Sequence, residues 1–164
     1  MSTLSQLLDA NTRYAESFDR GRLSHVPARK LAVVACMDTR LNVEEMLGLR
    51  PGEAHIIRNA GGIVTDDVLR SLIISHKLLG TQEFVVINHT NCGMTTFRDE
   101  ELQARLRQET GVDASDVRFH TFSDLEGNLR AQVDRIKACP FIGDVALVHG
   151  LVYQVEDGRL RTVV

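Results

Sequence analysis

Three short, wholly apolar runs constrain the fold of this chain more than any other feature of its sequence. They occupy residues 31–36, 84–87 and 145–148, with the sequences LAVVAC, FVVI and VALV. A strand without polar positions is buried on both faces, and such strands belong to parallel sheets that helices cover. The runs alternate with segments of helical pattern, which favours the same α/β architecture.

Helix signals fill most of the chain between these runs. Apolar residues recur with helical spacing over residues 4–18, and Thr65 and Gly80 mark the start and the end of a helix over residues 66–79. Further helices are predicted at 42–48, at about 99–110, and from a capping box at Ser123 to a point before Pro140.

Two shorter signals complete the predicted architecture. Residues 54–57 form a short strand, and Asp157-Gly158 predicts a hairpin between residues 151–155 and 159–163. We therefore expect a single domain over residues 1–164. Its fold is α/β, with a mostly parallel central sheet of about four strands, helices on both faces and an antiparallel C-terminal edge hairpin.

Composition excludes several classes of function. A formal net charge of -3 and the lack of tryptophan give no reason to expect nucleic acid or an anionic membrane as a partner. No apolar stretch approaches the roughly 20 residues of a membrane span, and no signal peptide is recognisable. Three cysteines are an odd number in a chain of this size, so we expect reduced thiols and a cytoplasmic protein rather than a disulfide scaffold.

Cys36, His89 and Cys92 form the candidate metal site. Cys36 ends the first apolar run, and the other two follow the second run. Binding sites in parallel sheets form at the carboxyl ends of strands. Taken singly, each residue fits a buried structural cysteine or a core histidine. As a set, two thiols and an imidazole are ligands that Zn²⁺ prefers, and three protein ligands leave a fourth position for water.

Asp38 and Arg40 lie just past Cys36, so a carboxylate and a guanidinium are expected beside the open position of the metal. The guanidinium would keep the carboxylate ionised and aim it at the site. The alternative is a surface ion pair, which contributes little to stability. Proximity to two proposed metal ligands favours the functional interpretation.

Three blocks of sequence resemble the beta class of carbonic anhydrases, and the short chain is similar to the compact bacterial members. The blocks are Cys36-Met37-Asp38-Thr39-Arg40, Arg58-Asn59-Ala60-Gly61 and His89-Thr90-Asn91-Cys92-Gly93. The resemblance is close over about residues 31 to 94. Two positions depart from the family pattern: Met94 stands where many members have a small residue, and Asn91 where an acidic residue is common.

The resemblance implies a zinc-dependent, reversible hydration of CO₂ to bicarbonate and a proton. Asp38 would orient the attacking hydroxide, and Arg40 would hold Asp38. Asn59, Ala60, Gly61 and Gly93 would supply the backbone of the substrate pocket. The resemblance also implies a homodimer or a dimer of dimers, in which the N-terminal helix within residues 1–20 packs on a partner subunit.

Other functions stay open at this point. A sister hydrolase on the same scaffold acts on CS₂ or COS, and it differs in its pocket rather than in its zinc ligands. A non-catalytic zinc-binding or sensing protein would keep Asp38 on the metal as a permanent fourth ligand. The sequence determines neither the substrate nor whether Asp38 closes the site at neutral pH.

Overall fold

Five strands and five helices make up residues 2–143 and 146–164, which are the residues that the computed structural model describes. The strands are β1 (Leu31–Cys36), β2 (Ala54–Asn59), β3 (Glu83–His89), β4 (Leu147–Tyr153) and β5 (Leu160–Thr162). The helices are α1 (Thr3–Glu16), α2 (Val43–Met46), α3 (Asp66–Leu79), α4 (Asp99–Thr110) and α5 (Leu125–Lys137). Short 3₁₀ turns span Ala60–Gly62 and Gly93–Thr95. Within these described ranges, no helix is long and apolar enough to cross a membrane.

The strands form one sheet in the order β2-β1-β3-β4-β5. The first four strands of that order pair in parallel, and β5 pairs with β4 antiparallel. The predicted sheet and its antiparallel edge hairpin are confirmed. From β1 the chain passes first to β2 on one side and then, through β2 and α3, to β3 on the other side. The carboxyl ends of β1 and β3 therefore meet at a topological switch point, where sheets of this kind bind ligands.

The fourth strand differs from its prediction. Residues 145–148 and 151–155 were expected to be two separate strands, but β4 is one continuous strand over Leu147–Tyr153. Val145 lies outside the described residues. Gly150 interrupts the apolar pattern because α5 and the end of the chain pack directly on it. A Cβ at this position would lie 3.1 Å from Leu129 Cγ and 2.7 Å from Val164 Cγ1.

Helices cover both faces of the sheet, but unequally. One face packs against α3 and α5, and its buried core includes Val34 and Phe84 from the sheet and Leu72 and Leu129 from the helices. The opposite face contacts the short helix α2, with Val33 of β1 and Val43 of α2 in one cluster. Helices on both faces are thus confirmed, and the two longer packed helices lie on the same side.

Capping residues in the sequence correctly predicted most of the helix ends. Thr65 Oγ1 accepts from Val68 N at the start of α3, and Gly80 ends that helix at φ 74°. At α5 the prediction was one residue early, because Asp124 rather than Ser123 is the N-cap. The Asp124 carboxylate accepts from Gly127 N at 3.0 Å. A carboxylate is at least as good a cap as a hydroxyl and also favours the positive end of the helix dipole.

A chain of amides, buried at Asn88 and Gln132 and half-buried at Asn128, ties α5 to the loop beneath the carboxyl ends of the strands. Asn88 Nδ2 donates to Gly61 O at 2.9 Å, and Asn128 Nδ2 donates to Asn88 Oδ1 at 2.8 Å. Gln132 Nε2 then donates to Asn128 Oδ1 at 3.0 Å, and Val64 N donates to Gln132 Oε1 at 2.8 Å. This series of amide hydrogen bonds begins and ends on the same loop, so it fixes the position of residues 61–64.

Removing the middle of this amide chain should destabilise the fold. Asn128→Ala leaves the carbonyl of Asn88 and the amide of Gln132 without their partner, at a cost of about 1–3 kcal/mol for each buried group. We expect urea unfolding to show a total loss of about 2–4 kcal/mol. The control is Gln108→Ala, an exposed amide of α4, which should change stability by less than about 0.5 kcal/mol. Equal effects of the two substitutions would contradict the prediction.

Candidate active site

The switch point of the sheet brings the three predicted metal ligands together. Cys36 is the last residue of β1, His89 is the last residue of β3, and Cys92 lies in the turn that follows β3. All three are buried, and their ligand atoms lie within 4.8 Å of one another. The two sulfurs are 4.0 Å apart. Tetrahedral zinc with Zn–S bonds of about 2.3 Å requires a sulfur separation of roughly 3.8 Å, so the two thiols need little movement to bind it.

The imidazole of His89 presents an acceptor to the same point. Its Nδ1–H donates to Thr90 O at 2.8 Å, which leaves the lone pair on Nε2. Nε2 is buried and has no hydrogen-bond partner among the residues that the structure describes. Buried polar atoms are normally paired. A metal ion fits here, because a histidine ligand usually donates its other ring N–H to a carbonyl or carboxylate.

A hydrogen bond between the two thiols shifts their pKa values in opposite directions. The hydrogen bond from Cys92 lowers the pKa of Cys36 to about 4, against the opposing effect of burial. The same hydrogen bond, together with burial, raises the pKa of Cys92. The shared hydrogen bond thus favours the thiolate form of Cys36 and the thiol form of Cys92. A metal cation that binds both sulfurs has to displace the thiol proton, because the thiolate is the ligand form.

Asp38 and Arg40 form a bidentate ion pair beside the three ligands. Arg40 Nε donates to Asp38 Oδ1 at 2.9 Å, and Arg40 Nη2 donates to Oδ2 at 2.7 Å. The Arg40 guanidinium holds the pKa of Asp38 well below its usual range, so the carboxylate is ionised throughout the neutral range. Asp38 Oδ2 lies 3.7 Å from His89 Nε2. In this arrangement the carboxylate lies next to the candidate metal position while it is bonded to the guanidinium.

Arg58 binds the backbone of residues 36 and 38, a role that the sequence did not predict. Its Nε donates to Cys36 O at 2.9 Å, and its Nη2 donates to Asp38 O at 2.6 Å. The sequence placed Arg58 in one of the three blocks, but no local spacing indicated its partners. The register of β1 and β2 supplies them, because Arg58 pairs with Ala35, next to Cys36.

An open cleft of about 540 Å³ lies over the candidate ligands. Ala60, Gly61 and Gly93 line it, and Met94 contributes apolar surface. The side chain of Asn59, at the start of this loop, makes two 2.8 Å hydrogen bonds with the backbone of Ile63. The complete lining consists of Cys36, Met37, Asp38, Thr39, Arg40, Ala60, Gly61, Cys92, Gly93, Met94 and Phe97.

Gly61 is required by the shape of this cleft. Its φ is 81°, and a Cβ would lie 3.1 Å from Met94 Cγ and 3.3 Å from Phe122 Cε1. A larger residue would be strained by its backbone conformation and would also displace Met94. The loop can therefore approach the candidate metal position closely only with glycine at this point.

Fold and site together define an α/β protein with a buried Cys-His-Cys centre at the switch point of a parallel sheet. The sequence model of the family described as carbonic anhydrase matches residues 31–160. A curated relative, beta-carbonic anhydrase 1 of Mycobacterium tuberculosis, is 42% identical over 163 residues and covers 99% of each chain. The chain therefore belongs to the carbonic anhydrase family, in its beta class.

Two further comparisons describe its neighbours in structure and in activity. The crystal structure of a carbonic anhydrase from Streptococcus mutans has a TM-score of 0.95 and 43% identity, and the match covers 100% of this chain and 99% of that one. A carbon disulfide hydrolase of Saccharolobus solfataricus is 34% identical over 183 residues, with 96% of this chain and 89% of that protein covered. The scaffold thus occurs with two substrate classes.

Proposed function

We propose that this chain catalyses the reversible hydration of CO₂ to bicarbonate and a proton, at a zinc ion held by Cys36, His89 and Cys92. The observation that carries the proposal is the buried Nε2 of His89, which has no hydrogen-bond partner in the described part of the chain and lies close to two sulfurs 4.0 Å apart. Bound zinc supplies a Lewis acid that lowers the pKa of water to about 7 and so makes hydroxide available near neutral pH. The remaining chemistry falls to the side chains of the cleft.

Asp38 orients the nucleophile in this proposal. Its carboxylate is ionised and would accept a hydrogen bond from the attacking hydroxide, which would direct the oxygen lone pair into the cleft. Arg40 keeps the carboxylate in place through two parallel hydrogen bonds, a geometry that confers orientation as well as strength. The apolar side chains of Met94 and Phe97 form the wall beside which CO₂ binds.

The position of Asp38 supports catalysis over permanent metal sequestration. A sensing protein would keep the carboxylate on the metal as its fourth ligand. Here both carboxylate oxygens bond to Arg40, which supports an open fourth position for water. Three protein ligands with an open position are typical of catalytic zinc sites.

Hydrolysis of CS₂ or COS is the second candidate, supported by similarity to carbon disulfide hydrolases. Stopped-flow CO₂ hydration should be measured across pH on protein of known zinc content, in parallel with release of sulfide from CS₂ and COS. We expect zinc-dependent hydration of CO₂ with the higher kcat/KM. Sulfide release without CO₂ hydration, in zinc-replete protein, would reassign the substrate.

All three cysteines are free thiols, which supports a location in a reducing compartment such as the cytoplasm.

A homodimer, or a dimer of dimers, is the proposed assembly. No residue of α1 is buried within the described part of the chain, although Leu4, Leu7 and Leu8 form an apolar stripe and are 65%, 63% and 59% exposed. A helix of this length is marginal in water without packing of its apolar face. A second copy of the chain is the partner that family membership suggests, and contiguous exposed apolar surface is typical of such interfaces.

Light scattering tests the assembly. The triple substitution of Leu4, Leu7 and Leu8 by Gln should convert a dimer or tetramer into smaller species and lower activity. The matched control is Gln6→Ala with Arg13→Ala, which alters the opposite side of the same helix and should leave the assembly intact. A parent chain that is monomeric and fully active would contradict the proposal.

A further inference from the structure

The turn that follows β3 is held by a residue from outside the three matching blocks. Glu156, in the connection between β4 and β5, accepts two hydrogen bonds from this turn. Thr90 Oγ1 donates to Glu156 Oε2 at 2.7 Å, and Asn91 Nδ2 donates to Oε1 at 2.5 Å. One carboxylate therefore binds the two consecutive side chains between His89 and Cys92.

The backbone of the same two residues holds the site. Thr90 O accepts from His89 Nδ1 at 2.8 Å, which fixes the ring and its tautomer. Asn91 O accepts from Arg40 Nη2 at 2.9 Å, while that nitrogen also bonds to Asp38. A shift of this turn would consequently move the imidazole and the guanidinium together.

The direction of these hydrogen bonds is determined by the surrounding backbone. Val155 N donates to Thr90 Oγ1 at 3.0 Å, so the Thr90 hydroxyl is left to donate its own hydrogen to Glu156. Asn91 has φ 52°, a conformation that Asn and Asp adopt more readily than other side chains with a Cβ. An Asp at position 91 would keep this backbone but place a second carboxylate against Glu156.

We propose that Glu156 is a positioning residue that sets His89 and Arg40 through the 90–91 turn, with Asn91 as its matched partner. The inference rests on the proposed function, because it assigns the turn to a zinc-holding site. It also gives a physical reason for an amide at position 91. An amide donates to Glu156 where a carboxylate would repel it.

Four variants at positions 91 and 156 test whether the hydrogen bonds and charges of these two side chains hold the turn. Glu156→Ala removes both acceptors, whereas Glu156→Gln can still accept from Thr90 and bond to a flipped Asn91 amide. Asn91→Asp creates repulsion, and the double variant of Asn91→Asp with Glu156→Gln restores an amide–carboxylate pair of reversed polarity. Asp157→Asn is the control, because Asp157 lies in the same hairpin but caps Arg159 N instead.

The readouts are the rate of zinc release to a chelator, the visible spectrum of the cobalt-substituted protein, and kcat. We expect Glu156→Ala and Asn91→Asp to release zinc about tenfold faster, since outer partners of metal ligands affect affinity on this scale. The cobalt spectrum should shift in both variants, and kcat should fall several-fold. Glu156→Gln, the double variant and Asp157→Asn should stay within about twofold of the parent chain in zinc release.

Two results would overturn the inference: a Glu156→Ala protein that matches the Asp157→Asn control in zinc release and spectrum, or a double variant no better than Asn91→Asp alone. If Glu156→Ala fails to fold, the comparison of Asn91→Asp with the double variant still decides. A parent chain that lacks zinc or CO₂ hydration would instead refute the proposed function. The parent is therefore measured first.

Discussion

Cys36→Ala and His89→Ala are each expected to reduce bound zinc from about one equivalent per chain to a small fraction and to abolish CO₂ hydration. The physical reason is that the structure offers three ligand atoms at this point, and loss of one leaves too few for a stable site. Without the ion, the pKa of the attacking water rises from about 7 towards its much higher value in bulk water. We therefore expect the rate at neutral pH to fall by about a thousandfold or more. Elemental analysis and stopped-flow assay measure the two effects.

Cys139→Ala is the matched control for these substitutions. Cys139 is also a buried free cysteine, but it packs in the core against the face covered by α3 and α5. Its loss should cost some stability through the small cavity left behind, with zinc content and hydration retained. Full zinc occupancy in both ligand variants would show that the metal binds elsewhere.

Arg40→Ala should lower CO₂ hydration by about 10–100-fold while zinc stays bound, the effect typical of groups that support a metal site. In the structure Arg40 holds both oxygens of Asp38. Without it, the ionised carboxylate has the metal as its strongest remaining attraction and would occupy the position that water needs. Asp38→Asn should also be poorly active, because the amide cannot replace the anionic acceptor. Arg105→Ala, which breaks an exposed ion pair with Glu109, should leave activity unchanged.

CO₂ hydration should increase with pH, and titration of Asp38 is not the cause of this increase. Because Arg40 holds the pKa of Asp38 well below its usual range, the carboxylate is ionised at every pH of the assay, and its own titration cannot produce a change near neutrality. Activity should climb from near neutral to above pH 8, as hydroxide becomes available. Near-parental hydration by Arg40→Ala at pH 7.5 would show that the ion pair does not control the site.

Local signals account for the elements that were predicted correctly. β1, α3 and α4 have the bounds expected from an unbroken apolar run, from a Thr cap and from terminal glycines. These signals act within a few residues of the chain. The errors have local causes as well. Asp124, next to Ser123, caps α5, and β4 continues through Gly150, which allows α5 to pack closely on the strand.

The sequence by itself determined the α/β class, the parallel sheet and the three candidate ligands. Each ligand lies at or just after the end of an apolar run, and parallel neighbours in a sheet must bring such ends together. Only the tertiary structure decided what supports them. Glu156 meets Asn91, Asn128 meets Asn88, and Arg58 meets Cys36. These pairs join residues far apart in the chain, and their geometry depends on strand register and on helix packing, which no local spacing encodes.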